Sequence, residues 1–146
     1  MIGVVDIAKV LDESKLGMRL SKKLEASAMR WQQRGEELKK KHEQASAALQ
    51  KAAPQDPNRQ RFKRDLQLLE MQLRTSQEQM RYDLETQREE FRATLLQQTK
   101  PIIDELSKTK NFSLVLTVPN PMVAYVSDEN NITHTVLERL DNTTSD

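Results

Sequence analysis

The 146 residues predict a mostly α, α+β fold, in which a long antiparallel coiled-coil hairpin projects from a small β-containing base. Three observations point there. Only 36% of residues are apolar while 31% are charged, a balance that suits long helices with a narrow apolar stripe rather than an enzyme-like interior. Apolar positions in the middle of the chain recur at heptad spacing with a single proline break. Short β-branched segments lie at both ends. Disorder is excluded, because Leu, Ile, Val and Phe still supply 34 residues, enough to drive folding.

The first element is a strand over Ile2–Ile7, short and rich in β-branched residues. The long helical region follows. From Leu24 through Ala28, Trp31, Gly35, Leu38, His42, Ala45 and Leu49 to Ala52, seam positions alternate by four and three, which is a heptad pattern. Pro54 and Pro57 then stop any helix. Beyond them the seam resumes at Phe62, Leu66, Leu69, Leu73, Ser76, Met80, Leu84, Gln87, Phe91, Leu95, Gln98 and Ile102, with 11-residue steps that straighten a supercoil. Pro101 predicts a kink or a fresh helix start. A strand over Phe112–Val118, a turn at Pro119-Asn120-Pro121 and a second short strand over Met122–Val126 come next. A helix over Ile132–Leu140, capped by Asn131 or Thr133, directs Val136, Leu137 and Leu140 inward. The tail from Asn142 to Asp146 is polar and expected to fray.

Two helices joined by a tight break fold back on one another. The arms, Lys15–Ala53 and Asn58–Lys100, hold 39 and 43 residues, so near-equal lengths return the chain to its start. Each would run roughly 58 to 65 Å at 1.5 Å per residue. The organisation expected is therefore a base from 1–14 and 101–146 and an arm from 15–100 with its tip at 53–58. A base this small, with apolar residues on both faces of its sheet, needs another subunit to cover it.

Charge is divided unevenly. Residues 19–100 carry 18 Lys and Arg against 12 Asp and Glu, whereas the remainder has a net charge of −5. Spacings such as Glu36–Lys40 and Glu37–Lys41 suit helix ion pairs but leave a basic excess that attracts acidic partners. Arg30, Arg34, Lys39, Lys40, Lys41, Lys51, Arg59, Arg61, Lys63 and Arg64 are the candidate basic contacts. Met29, Leu68, Met71 and Tyr82 miss the seam and are the candidate apolar ones, methionine being adaptable to varied partners. Gly3, Gly17 and Gly35 are too scattered for a phosphate-binding loop, no cysteine is present, and His42 and His134 stand in different elements. No enzyme, cofactor or metal site is expected.

The order of segments carries a resemblance. Gly3-Val4-Val5-Asp6-Ile7, then Lys9-Val10-Leu11-x-x-Ser14, a long charged hairpin, Leu114-Val115-Leu116, Val123-Ala124-Tyr125 and Ile132-Thr133-x-x-Val136-Leu137-x-x-Leu140 together resemble the Skp/OmpH family of periplasmic chaperones. The resemblance spans nearly the full chain. It implies a homotrimer with a central β-body, and an ATP-independent holdase whose arms cage unfolded outer-membrane β-barrel proteins. It also implies a periplasmic location for a mature chain, and possible contact with anionic lipid or lipopolysaccharide. By position, Val4, Val5, Ile7, Leu114, Leu116, Val123 and Tyr125 would build the oligomeric body. No catalytic residue, small-molecule substrate or specific nucleic acid is implied. Two other classes fit the residues less well: a structural coiled-coil adaptor, and a basic nucleic-acid-binding protein.

Overall fold

The computed structural model describes residues 1–144. These form, in order, β1 (Ile2–Asp6), α1 (Ile7–Glu13), α2 (Lys15–Lys51), α3 (Arg59–Thr109), β2 (Leu114–Val118) and α4 (Thr133–Thr143). The fold is mostly helical, with two long packed helices and one small open sheet. It divides into two compact units, one from Met1–Lys23 and Arg88–Asp146, the other from Leu24–Gln87.

In the first unit the two strands run parallel, Ile2 opposite Leu114 through Asp6 opposite Val118. On the other side of β1, the Val4 N–H donates to the Asn130 carbonyl at 2.7 Å, and the Ile132 N–H donates to the Val4 carbonyl at 2.9 Å. Flanked on both sides, β1 buries Val4 and Val5. It stops one residue earlier than expected. The Asp6 side chain accepts from the Lys9 N–H at 3.0 Å and so caps α1, which makes Ile7 the first residue of a helix rather than the last of a strand. The helix α1 itself is an element that the sequence reading leaves unassigned. Ser14 closes it and opens α2: its N–H donates to the Val10 carbonyl, and its buried hydroxyl accepts from the Gly17 N–H at 2.9 Å.

Around this sheet the core is built from Val5, Val10, Leu95, Ile102, Leu106, Phe112, Ile132, Val136, Leu137 and Leu140. The inward set expected for the last helix is therefore buried as expected. That helix runs on to Thr143, past the frayed tail anticipated from Asn142; Ser145 and Asp146 lie outside the described residues. Asn131 Oδ1 accepts from the Thr133 N–H at 3.1 Å, the Thr133 hydroxyl accepts from the Asp6 N–H at 2.9 Å, and Asp141 accepts from the Lys15 N–H at 2.9 Å. The last two of these bonds tie α4 to the start of the chain.

Three expectations need correction. The segment Met122–Val126 is not a strand: β1 and β2 are the strands among the described residues. The Met122 and Val123 N–H groups, which a hairpin ladder would need first, are instead held by Asn120, through its side chain at 2.9 Å and its carbonyl at 3.0 Å. Pro119 and Pro121 have no N–H to offer. Pro101 neither breaks nor restarts a helix; it lies exposed inside the 51 residues of α3. Finally, Gln98 is exposed and Thr99 is fully buried in its place, its hydroxyl donating to the Leu96 carbonyl at 3.1 Å. A satisfied threonine can occupy a seam that polarity alone would deny it.

Helix α3 ends in a left-handed residue. Asn111 has φ 55°, and the Phe112 N–H reaches back to the Ser107 carbonyl at 2.9 Å, a Schellman closure. Asparagine tolerates this conformation better than other side chains. The turn delivers Phe112 onto Gly3, where an added Cβ would stand 3.0 Å from the ring.

Candidate functional site

The second unit, Leu24–Gln87, is an antiparallel helix pair. Its sense is set by cross-helix bonds that pair rising numbers on α2 with falling ones on α3. Ser27 donates to Gln87 at 3.0 Å, the Trp31 indole donates to Asp83 at 2.8 Å, and His42 Nε2 lies 3.4 Å from Glu70. Every seam residue named from Leu24 to Ala52 is at least partly withdrawn from water, as are those from Phe62 to Gln87. At the tip, the Asp56 side chain accepts from the Asn58 N–H at 2.8 Å, and the Arg59 guanidinium donates to the Ala52 carbonyl at 3.1 Å.

One stretch of the seam is polar and connected. Arg30 donates to the Ser27 hydroxyl at 3.0 Å, Ser27 to Gln87, and the Gln87 amide to Asp83 Oδ2 at 3.0 Å, where the Trp31 indole also arrives. Hydrogen bonds from Trp31 first and Gln87 second hold the Asp83 carboxyl below the usual carboxylate range. Partial burial pulls the other way, and the Arg30 charge adds a smaller push downward. Partner polar groups face each other at fixed positions, which pins the register of the two helices.

The outer surface carries the candidate contacts. Arg30, Arg34, Lys39, Lys40, Lys41, Lys51, Arg61, Lys63 and Arg64 are exposed. Arg59 is the exception, half-buried and committed to the Ala52 carbonyl. Neither Glu36–Lys40 nor Glu37–Lys41 closes as an ion pair; Glu36 accepts from Gln32 instead, at 3.3 Å. Met29, Leu68, Met71 and Tyr82 are 56%, 53%, 64% and 74% exposed, values high enough to leave them open to a partner.

A pattern missed in reading the sequence emerges on α3. Arg61, Arg64, Leu68, Met71, Thr75, Glu78 and Tyr82 recur by three and four, and all are exposed. This second stripe lies about half a turn of the helix away from the Phe62–Leu84 seam. Its signal was present in the spacing, but apolar residues judged one at a time look like ordinary surface scatter. Three apolar groups and two arginines thus share one face of one helix.

The residues expected to build an oligomeric body divide in two. Val4 and Val5 are buried within the chain, and Ile7, Leu116 and Val123 are half-buried. Leu114 and Tyr125 are exposed at 50% and 84%, together with Ile2 at 45% and Met122 at 88%. Among the described residues no cluster of three His, Asp or Glu side chains is placed to hold a metal ion, and no helix is long and apolar enough to cross a membrane.

No curated protein matches the chain. The family model described as outer membrane protein (OmpH-like) matches residues 1–140, covering both strands and nearly all of the four helices. With that match across the base and the helix pair together, the chain belongs to the OmpH-like family, whose members are non-catalytic periplasmic chaperones of the Skp/OmpH type.

Proposed function

We propose that the chain acts as an ATP-independent holdase in the periplasm, assembling as a homotrimer whose helix pairs enclose unfolded outer-membrane β-barrel proteins. The observation that carries this reading is the exposed stripe on α3, where Leu68, Met71 and Tyr82 share a face with Arg61 and Arg64. Such a face offers apolar contacts and positive charge without a closed pocket. Each contact is weak, and many acting together raise the effective concentration of a captured chain without a tight site. A client held this way leaves without an energy source. Family membership supports a chaperone role, and unfolded outer-membrane proteins are the clients it implies.

Trimer formation is supported by the apolar groups that one chain leaves in water beside a two-stranded sheet: Ile2, Leu114, Met122 and Tyr125. A second copy would cover them. The exposed basic residues Lys39, Lys40 and Lys41 on α2 and Arg61, Lys63 and Arg64 on α3 also suit the phosphates of anionic lipid or lipopolysaccharide. The test is aggregation of an unfolded barrel protein followed by light scattering. The wild-type chain should suppress it in a salt-sensitive manner. Replacing Leu68, Met71 and Tyr82 by Ser, or the six basic residues by Gln, should weaken suppression several-fold with helix content unchanged. Equal suppression by all three proteins would defeat the proposed surface. Absence of suppression by the wild type would favour an adaptor instead.

A further inference from the structure

The seam of the second unit has a missing knob. In a helix pair each hole between four residues of one helix is filled by a side chain of the other. At Gly35 no side chain is present, and a Cβ built there would meet nothing within 4 Å. The hole facing it is lined by Leu73, Ser76, Gln77 and Met80 on α3, and by Ala28, Trp31, Gln32, Glu36 and Lys39 on α2. The resulting groove, open to solvent on one side, holds about 450 Å³, within the size range of small-ligand sites.

The chemistry of its walls is selective. Trp31 offers a ring, and Met80 a thioether that pairs well with aromatics. Ser76 is 94% buried, yet its hydroxyl has no hydrogen-bond partner in the described structure. It is not sealed away either, since no buried polar side-chain atom is left unsatisfied. A hydroxyl in the groove lining is therefore open to the groove and taken by no other protein group. Around the groove, Lys39 and Glu36 line the wall, Glu36 accepting from the neutral Gln32 amide at 3.3 Å, and the Arg34 guanidinium lies 5.8 Å over the Trp31 ring. With Glu36 and Lys39 both on the wall, the groove itself carries no net sign of charge, and its selectivity rests on the ring, the thioether and the hydroxyl.

We infer that this groove is a subsite for a tyrosine side chain of an unfolded polypeptide. The ring takes the place of the knob that Gly35 lacks, between Trp31 and Met80, and the phenol pairs with the Ser76 hydroxyl. This rests on the chaperone reading and gives it a residue-level preference. Barrel proteins of outer membranes carry girdles of aromatic residues, so the ligand chemistry matches the expected clients.

Trp31 is the sole tryptophan and reports on its own groove. The probe is an unfolded, tryptophan-free peptide of Gly and Ser carrying one Tyr, compared with versions carrying Phe or Ala there. With the wild-type chain, the Tyr peptide should shift Trp31 fluorescence saturably. The Ala version should require at least tenfold more peptide, and the Phe version an intermediate amount. Ser76→Ala should erase the difference between Tyr and Phe, and Gly35→Leu should abolish the shift. Equal responses to the Tyr and Ala peptides would overturn the inference, as would a shift that survives Gly35→Leu. Aggregation suppression by the wild-type chain is measured alongside. Suppression without a Tyr-specific response removes the groove and leaves the chaperone, whereas a Tyr-specific response without suppression does the reverse.

Discussion

At Gly17 a Cβ would collide with the Leu11 carbonyl oxygen and lie 2.6 Å from its carbon. Both are backbone atoms of α1, held in place by the Ser14 junction, so neither can give way cheaply. Gly17→Ala should therefore destabilise the first unit by about 3 kcal/mol or more, the upper end for overpacking, as a lowered urea midpoint. Asp83 makes a different prediction, through pH. Its carboxyl is held below the ordinary value by the Trp31 and Gln87 hydrogen bonds. A depressed folded-state value means that the charged form stabilises the helix pair above the unfolded value, and that this contribution fades as pH falls through the folded one. Asp83→Asn keeps an acceptor for Trp31 but has no proton to gain. The melting-temperature gap between wild type and Asp83→Asn should thus shrink between pH 6 and pH 3, in thermal melts followed by circular dichroism. A constant gap would show that the Asp83 charge contributes nothing.

Helix α3 runs unbroken through Pro101, although proline has no N–H for the carbonyl of Gln97 and its ring crowds that turn. The buried run of Leu95, Thr99, Ile102 and Leu106 on either side holds the helix together against that local cost. Since Pro101 is itself exposed, Pro101→Ala should stabilise the chain by about 1–3 kcal/mol, measured as a raised urea midpoint. An unchanged midpoint would mean that the local penalty has already been relieved. The same helix shows where sequence reading succeeds and fails. Period decides its buried face from Phe62 to Leu95 because Leu, Met and Phe dominate there. At residues 98 and 99 two polar side chains compete, and hydrogen bonding to the Leu96 carbonyl, invisible in a pattern, selects threonine.

The whole chain leaves Leu114 and Tyr125 in water next to a sheet of only two strands. If a shared body covers them, the wild type should sediment at three times its 16.9 kDa chain mass. Leu114→Glu combined with Tyr125→Ser should then yield a folded monomer. A monomeric wild type would remove the enclosure on which the proposed holdase mechanism depends.

Heptad spacing, two prolines at the tip and β-branched ends already specify helices that turn back and termini that meet in a sheet, because periodicity and backbone chemistry act over short stretches of chain. The partition of the apolar end residues is different in kind. Val4 and Val5 read no differently from Leu114 in a one-dimensional pattern, yet the first two are interior and the last faces water. That distinction arises when Val5 joins a core with Val10, Leu106, Ile132 and Val136, while Leu114 stays half exposed. Likewise the Met122–Val126 segment has a strand's composition, and loses its ladder to two hydrogen bonds with Asn120. Burial and pairing depend on which partner, local or distant, each donor and side chain meets, and that is a property of the folded chain.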